Sequence, residues 1–165
     1  MEDRLYRQYL RILEEELLPA MGCTEPIAVA YAAAKAVETL GTAPERLLVE
    51  VSGNIIKNVK SVTVPNTGGL RGIAASAVAG AVAGDAAAEL EVLAHVRPEQ
   101  LPEIHAALEK MPVEVRHADT PHIFDIAITA SAGADEAYVR IVEHHTNIVS
   151  ILSILSILNI TNFNI

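Results

Sequence analysis

Two stretches of this chain are apolar on nearly every side, and they restrict its fold more than any other feature. From Pro26 the sequence runs through Ile27, Ala28, Val29, Ala30, Tyr31, Ala32, Ala33 and Ala34 to Leu40, with Gly41 as a C-terminal stop. From Leu70 to Gly84 it is almost entirely Ala, Gly, Val and Ile, interrupted by Arg71 and Ser76. A helix with no polar face belongs in a protein interior. Small residues let helix backbones approach closely, so the second helix is expected to pack on the first. The uncharged part of the second helix, between Arg71 and Asp85, has 13 residues, short of the ~20 needed to cross a bilayer.

Around this pair the sequence alternates between helical and strand patterns. Residues 2–18 place Leu5, Tyr9, Ile12, Leu13 and Leu17 on one face of an amphipathic helix ended by Pro19. Val49 and Val51 flank Glu50 in a strand over 47–51 that ends at Ser52-Gly53. A helical piece is expected at 85–94, and a helix from Pro98 carries Leu101, Ile104, Leu108 and Met111 at helical spacing, with His105 expected to be solvated. Residues 113–116, Ile123 to Ala130 and Ala137 to Glu143 alternate as strands, with Ala132-Gly133-Ala134-Asp135 as a hairpin loop. The expected class is α+β: buried Ala/Gly-rich helices packed with a mixed, largely antiparallel sheet. One domain is expected over 1–150, followed by a low-complexity tail over 151–165, where Ser-Ile-Leu repeats without any charge. A β-prone, uncharged tail of that kind is an expected aggregation segment.

The formal charge of −9 argues against a nucleic-acid surface, which requires clustered Lys and Arg. A single cysteine rules out an internal disulfide, and the N-terminal Met1-Glu2-Asp3-Arg4 is too charged to open a secretory signal. A cytoplasmic protein with no membrane partner is the simplest expectation.

That cysteine, Cys23, lies in Met21-Gly22-Cys23-Thr24-Glu25-Pro26, just before the first apolar helix. A thiol there sits near the positive end of the helix dipole, which favours the thiolate that attacks carbon or binds metal. Pro26 suits a first helical turn, with Thr24 or Glu25 as cap. The alternative is a small apolar residue with no chemistry. A second candidate is the turn Val64-Pro65-Asn66-Thr67-Gly68-Gly69 ahead of the second apolar helix, where backbone N–H groups aided by Lys57 or Lys60 could meet an anion. An ordinary strand-to-helix connection explains the same residues. No GxGxxG and no Gly-Lys-Ser/Thr is present. His144 and His145, taken as strand neighbours, point to opposite faces and cannot easily share one metal.

Gly22-Cys23-Thr24-Glu25-Pro26, Ser52-Gly53-Asn54-Ile55-Ile56-Lys57-Asn58-Val59, Val64-Pro65-Asn66-Thr67-Gly68 and His145-Thr146-Asn147-Ile148-Val149, in this order and spacing, resemble the L-cysteine desulfidase family, related to the alpha chain of iron-sulfur-dependent L-serine dehydratases. The resemblance covers about residues 5–150. It implies the N-terminal part of a lyase that eliminates sulfide from L-cysteine, or water from L-serine, to give pyruvate and ammonia. It implies a 4Fe-4S cluster held by three cysteines, with Cys23 matching the first ligand. Lys57, Asn58 and His145 would then be catalytic, and Thr24, Glu25, Asn54, Asn66, Thr67 and Gly68 would meet a small amino-acid substrate. No Cys follows Cys23, so the implied ligand set is incomplete and would need a missing C-terminal half or a homo-oligomer partner. The alternative is a non-catalytic α+β domain, either degenerate or binding a small molecule.

Overall fold

Five strands form one mixed sheet in the computed structural model, which describes residues 2–17, 20 and 22–156. They are β1 (Arg46–Val51), β2 (Val113–His117), β3 (Asp125–Ala132), β4 (Asp135–Val142) and β5 (Ile148–Ile154), in the spatial order β2-β1-β3-β4-β5. Only β1 and β2 run parallel, and the other three pairings are antiparallel. Parallel neighbours need a crossover. Here it is made by α3 (Gly53–Val59), α4 (Gly72–Ala83), two short 3-10 segments and α5 (Leu101–Lys110). The expected α+β class and the mixed sheet are what the structure has.

Strand alternation decides which sheet face is buried. Leu47, Val49 and Val51 of β1, Ile126, Ile128 and Ala130 of β3, and Ala137, Val139 and Ile141 of β4 point to one side, and all are buried. The other side carries Arg46, Glu50, Glu114, Arg116, Glu136 and Arg140. Against the apolar face lies α2 (Thr24–Leu40), packed on β3, β4 and α4, while α4 reaches β1 and β2.

The α2–α4 contact explains why these helices are built from Ala and Gly. A Cβ placed on Gly80 would stand 2.0 Å from the Ala30 carbonyl oxygen, far inside van der Waals contact. No residue but glycine fits, and the two backbones touch there directly. Ser76, the polar residue inside α4, is fully buried but donates to the Gly72 carbonyl one turn back at 2.9 Å, so it costs little in the interior.

Several local expectations need adjustment. Asn54 to Val59, which follows the strand end, is a short helix, because Ser52 turns the chain out of β1 and Ile55 and Val59 need a common buried face. The 85–94 piece is not a regular helix: Glu89 adopts φ 46, ψ −114 and breaks it. His144 and His145 sit in the turn between β4 and β5, not on a strand. Residues 151–154, taken as the start of a low-complexity tail, continue β5. The residues after Ser156, like Pro19, lie outside the described part. The amphipathic helix α1 (Glu2–Glu16) is present, yet Leu5, Tyr9, Ile12, Leu13 and Leu17 are all exposed. No described helix is long and apolar enough to cross a membrane.

Replacing Gly80 with Ala is expected to destabilise the domain by roughly 3 kcal/mol, the upper range for forcing atoms into a packed core. Urea unfolding followed by circular dichroism measures it. A loss below about 1 kcal/mol would mean that the helices separate easily and that this contact does not set the packing.

Candidate functional site

The carboxyl end of β1 and the amino end of α2 meet at one edge of the sheet, and this junction gathers most of the polar groups singled out in the sequence. Residues 123–125 connect its parts. Ser52, at the end of β1, donates its hydroxyl to the Ile123 carbonyl (2.6 Å) and its N–H to the Asp125 carbonyl (2.9 Å). On the other side Glu143 donates its N–H to the Phe124 carbonyl (3.0 Å), and the Phe124 ring meets His145 edge-on at 4.6 Å between centroids. The start of α3 and the β4–β5 turn are thereby held to the same short segment.

Asp125 anchors that segment. Its buried carboxylate accepts a forked pair of hydrogen bonds from Arg140 Nε (3.0 Å) and Nη2 (2.6 Å), and a third from Thr120 Oγ1 (2.7 Å). Burial alone would raise its pKa, but Arg140, Thr120 and the charge of His122 outweigh that and hold it below the ordinary aspartate range.

Over this scaffold stands a group from α2, α3 and the β4–β5 turn. Gly22 turns the chain into α2 with φ 78, a left-handed conformation that suits glycine, and packs near the Pro65 ring. Cys23 is the N-cap of α2 and makes no side-chain cap bond, so neither Thr24 nor Glu25 caps the helix. The exposed Cys23 thiol donates to Glu25 Oε2 (3.3 Å), and Asn58 Nδ2 donates to Glu25 Oε1 (3.3 Å). Thr24 Oγ1 reaches the same carboxylate at 3.5 Å. Glu25 is therefore the centre. Partial burial pushes its pKa up, but its own backbone N–H, the Cys23 thiol, the Asn58 amide and the charge of His145 win and keep it ionised below the ordinary range.

Cys23 moves the opposite way. Desolvation, then the hydrogen bond to Glu25 and its negative charge, raise the thiol above its usual pKa, while the Glu25 backbone N–H pulls down and does not prevail. The expected thiolate is corrected on this ground: partial burial, joined by the carboxylate beside the thiol, favours the protonated form. At neutral pH Cys23 is a protonated donor.

The remaining candidates divide. Asn54 is half-buried and Lys57 exposed on α3, beside Asn58. Asn66, Thr67 and Gly68 serve their own loop. Asn66, at φ 56, donates to the Leu93 carbonyl (3.0 Å), and the buried Thr67 hydroxyl donates to the Val64 carbonyl (2.8 Å). His105 is half-buried, with Nε2 2.8 Å from the Thr67 carbonyl, so it pins this loop and is not merely solvated. Phe124, Ser52, Asp125 and Arg140 were not singled out in the sequence. The hairpin register centred on Ala132 to Asp135 pairs Ala127 with Arg140 and so sets Arg140 one step from Asp125, and that signal was available.

The class defined so far is an α+β domain with a polar cluster at one sheet edge. The chain is 52% identical over 150 residues to a UPF0597 protein of Desulfitobacterium hafniense, covering 91% of this chain and 35% of that protein. A UPF0597 protein of Treponema denticola is 47% identical (90% and 35% covered), and one of Lachnoclostridium phytofermentans 44% identical (89% and 35% covered). The chain spans about a third of the length of these relatives. No family model matches it, and no solved structure matches it. These names correct the resemblance to the L-cysteine desulfidase and L-serine dehydratase families, and with it the iron-sulfur lyase reading. The donor set agrees with the correction. Among the described residues no group of three or more His, Cys, Asp and Glu is placed to hold a metal ion, and Cys23 is protonated against a carboxylate. The one cysteine of this sequence cannot alone supply the three thiolates that a 4Fe-4S cluster of that kind takes.

Stability should fall at acid pH through Asp125. Its folded pKa lies below its unfolded value of about 3.9, so its contribution is complete above that value and is lost as pH falls through the folded pKa. Asp125→Asn should cost about 3 kcal/mol at pH 7, the cost of leaving a buried pair half-removed, and should flatten the acid limb of a stability–pH profile. An unchanged limb would show that another carboxylate controls it.

Proposed function

We propose that the Glu25 cluster binds a small amino acid. The observation that carries this reading is an ionised, half-exposed carboxylate to which Cys23, Thr24 and Asn58 donate as neutral groups, with His145 near enough for its charge to act on it. Such a group attracts an ammonium ion. In this arrangement Glu25 takes the ligand's α-ammonium, Lys57 takes its carboxylate, and Asn54 and Asn58 orient it. The exposed thiol of Cys23 lies beside Glu25, which favours a ligand with a small polar side chain. A location at the sheet edge beyond the carboxyl ends of the parallel strands supports the reading, since ligands of such sheets commonly bind there.

The proposal extends to setting. A single cysteine suits a reducing compartment, and a charge of −9 does not suit nucleic acid, so the domain works in the cytoplasm on a small molecule. In the longer relatives the remaining length would supply the other walls of the site.

Isothermal titration with L-serine, L-cysteine, L-alanine and their D-isomers tests this. Saturable binding of at least one L-amino acid is expected, abolished in Glu25→Gln and weakened about 10-fold in Lys57→Ala, the equivalent of about 1.4 kcal/mol. Arg116→Ala, on the opposite sheet face, should bind as the parent does. Absence of binding across the panel, or full binding by Glu25→Gln, overturns the assignment.

A further inference from the structure

Three successive carbonyls at the start of β3 are held from two directions. Those of Ile123 and Asp125 accept from Ser52, the first from its hydroxyl and the second from its N–H, while the Phe124 carbonyl between them accepts from the Glu143 N–H. The bond from the Ser52 N–H continues the β1–β3 pairing one step past Val51 and Ile126. Its hydroxyl then adds a further rung, where the chain has turned into α3 and the backbone cannot. Ser52 is also the N-cap residue of α3, yet it makes no cap bond. A serine in that position ordinarily accepts from the first turn of its helix. This one is buried and gives its hydroxyl to Ile123 instead.

We infer that Ser52 is a positioning residue for the Glu25 cluster: its hydroxyl fixes α3 to segment 123–125, so that Asn58 meets Glu25 while Phe124 holds His145. With seven residues, α3 is too short to keep an orientation of its own. The buried Ile55 and Val59 decide which side of it faces the core, and Ser52 fixes its start against the segment. Asn58, on the last turn, donates to Glu25 Oε1 at 3.3 Å, already beyond the usual length of such a bond, so a small retreat of α3 breaks it. At the other end of the segment the Phe124 ring meets His145, whose charge, with the Asn58 amide, helps keep Glu25 ionised. The Asp125–Arg140 pair ties the segment to β4 and does not reach α3. The effect of Ser52 on binding rests on the reading of Glu25 as the carboxylate that takes an ammonium group, whereas its effect on Glu25 itself does not.

The test compares Ser52→Ala with the parent chain and with Ser76→Ala, which removes a buried hydroxyl bonded within α4. Carbon-13 NMR titration of the Glu25 carboxyl, without ligand, is the first readout. In Ser52→Ala the pKa of Glu25 should rise toward the ordinary glutamate value of about 4.3, and the Asn58 side-chain amide signal should shift. Ser76→Ala, and Ser52→Thr with its hydroxyl kept, should titrate as the parent does. Calorimetry is the second readout: Ser52→Ala should bind an L-amino acid that the parent binds about 5-fold more weakly, the ordinary share of one hydrogen bond. An unmoved Glu25 in Ser52→Ala overturns the inference, as does an equal shift in Ser76→Ala or in Ser52→Thr. The two readings fail separately. If the parent binds no amino acid but Glu25 moves in Ser52→Ala alone, the ligand assignment falls and the positioning role stands; if the parent binds and Glu25 does not move, the reverse holds.

Discussion

The backbone contact between α2 and α4 governs the rest of the molecule. Where Gly80 meets Ala30, two helices approach more closely than any side chain permits, and the Ala-rich faces around that point become the only faces that fit. Dispersion between closely matched surfaces does much of the work that aromatic side chains, scarce in this sequence, do elsewhere. With the pair locked together, α2 lies over β3 and β4, and its first turn is carried to the sheet edge where β1 ends. The location of Cys23 and Glu25 thus follows from a glycine more than fifty residues away.

At that edge two electrostatic influences compete for one thiol. The α2 terminus favours a thiolate, and the Glu25 carboxylate opposes it from 3.3 Å. Desolvation of the thiol tips the balance first, and a full charge at hydrogen-bond distance adds to it against the partial charge of a helix end. The consequence is a division of labour, in which Glu25 holds the negative charge and Cys23 and Asn58 donate to it. Carboxylate chemistry, not thiolate chemistry, is what this cluster offers. Asp125 supports it from below by fixing the segment that carries Ile123 and Phe124.

Much of the architecture was legible in the sequence. Apolar helices without a polar face, alternation in β3 and β4 and the Ala132 to Asp135 turn are local signals, and each element appears where its pattern stands. Less legible were elements set by their neighbours. The helix from Gly53 to Val59 is too short to show periodicity, and β5 carries a three-residue repeat that fits no period but acquires strand geometry by pairing with β4. The site was partly legible. Cys23, Glu25, Asn58 and His145 come together, whereas Asn66, Thr67 and Gly68 belong to a loop pinned by His105 and Leu93. The charge state of Cys23 was not legible, since it depends on the rotamer of a side chain two residues away.

The width of the helical layer also explains what the fold leaves bare. Helices packed through glycine and alanine lie about 8 Å apart, and sheet strands about 4.8 Å apart. Two such helices therefore cover about four strands. With α4 reaching β1 and β2, and α2 lying over β3 and β4 and touching β5, the cover thins toward the fifth strand, and Ile151 is half-exposed on the same face where Val139 and Ile128 are fully buried. Larger side chains between the helices would widen the layer but separate the backbones that Gly80 and Ala30 bring into contact. The partial exposure of Ile151 is thus the geometric counterpart of the tight core.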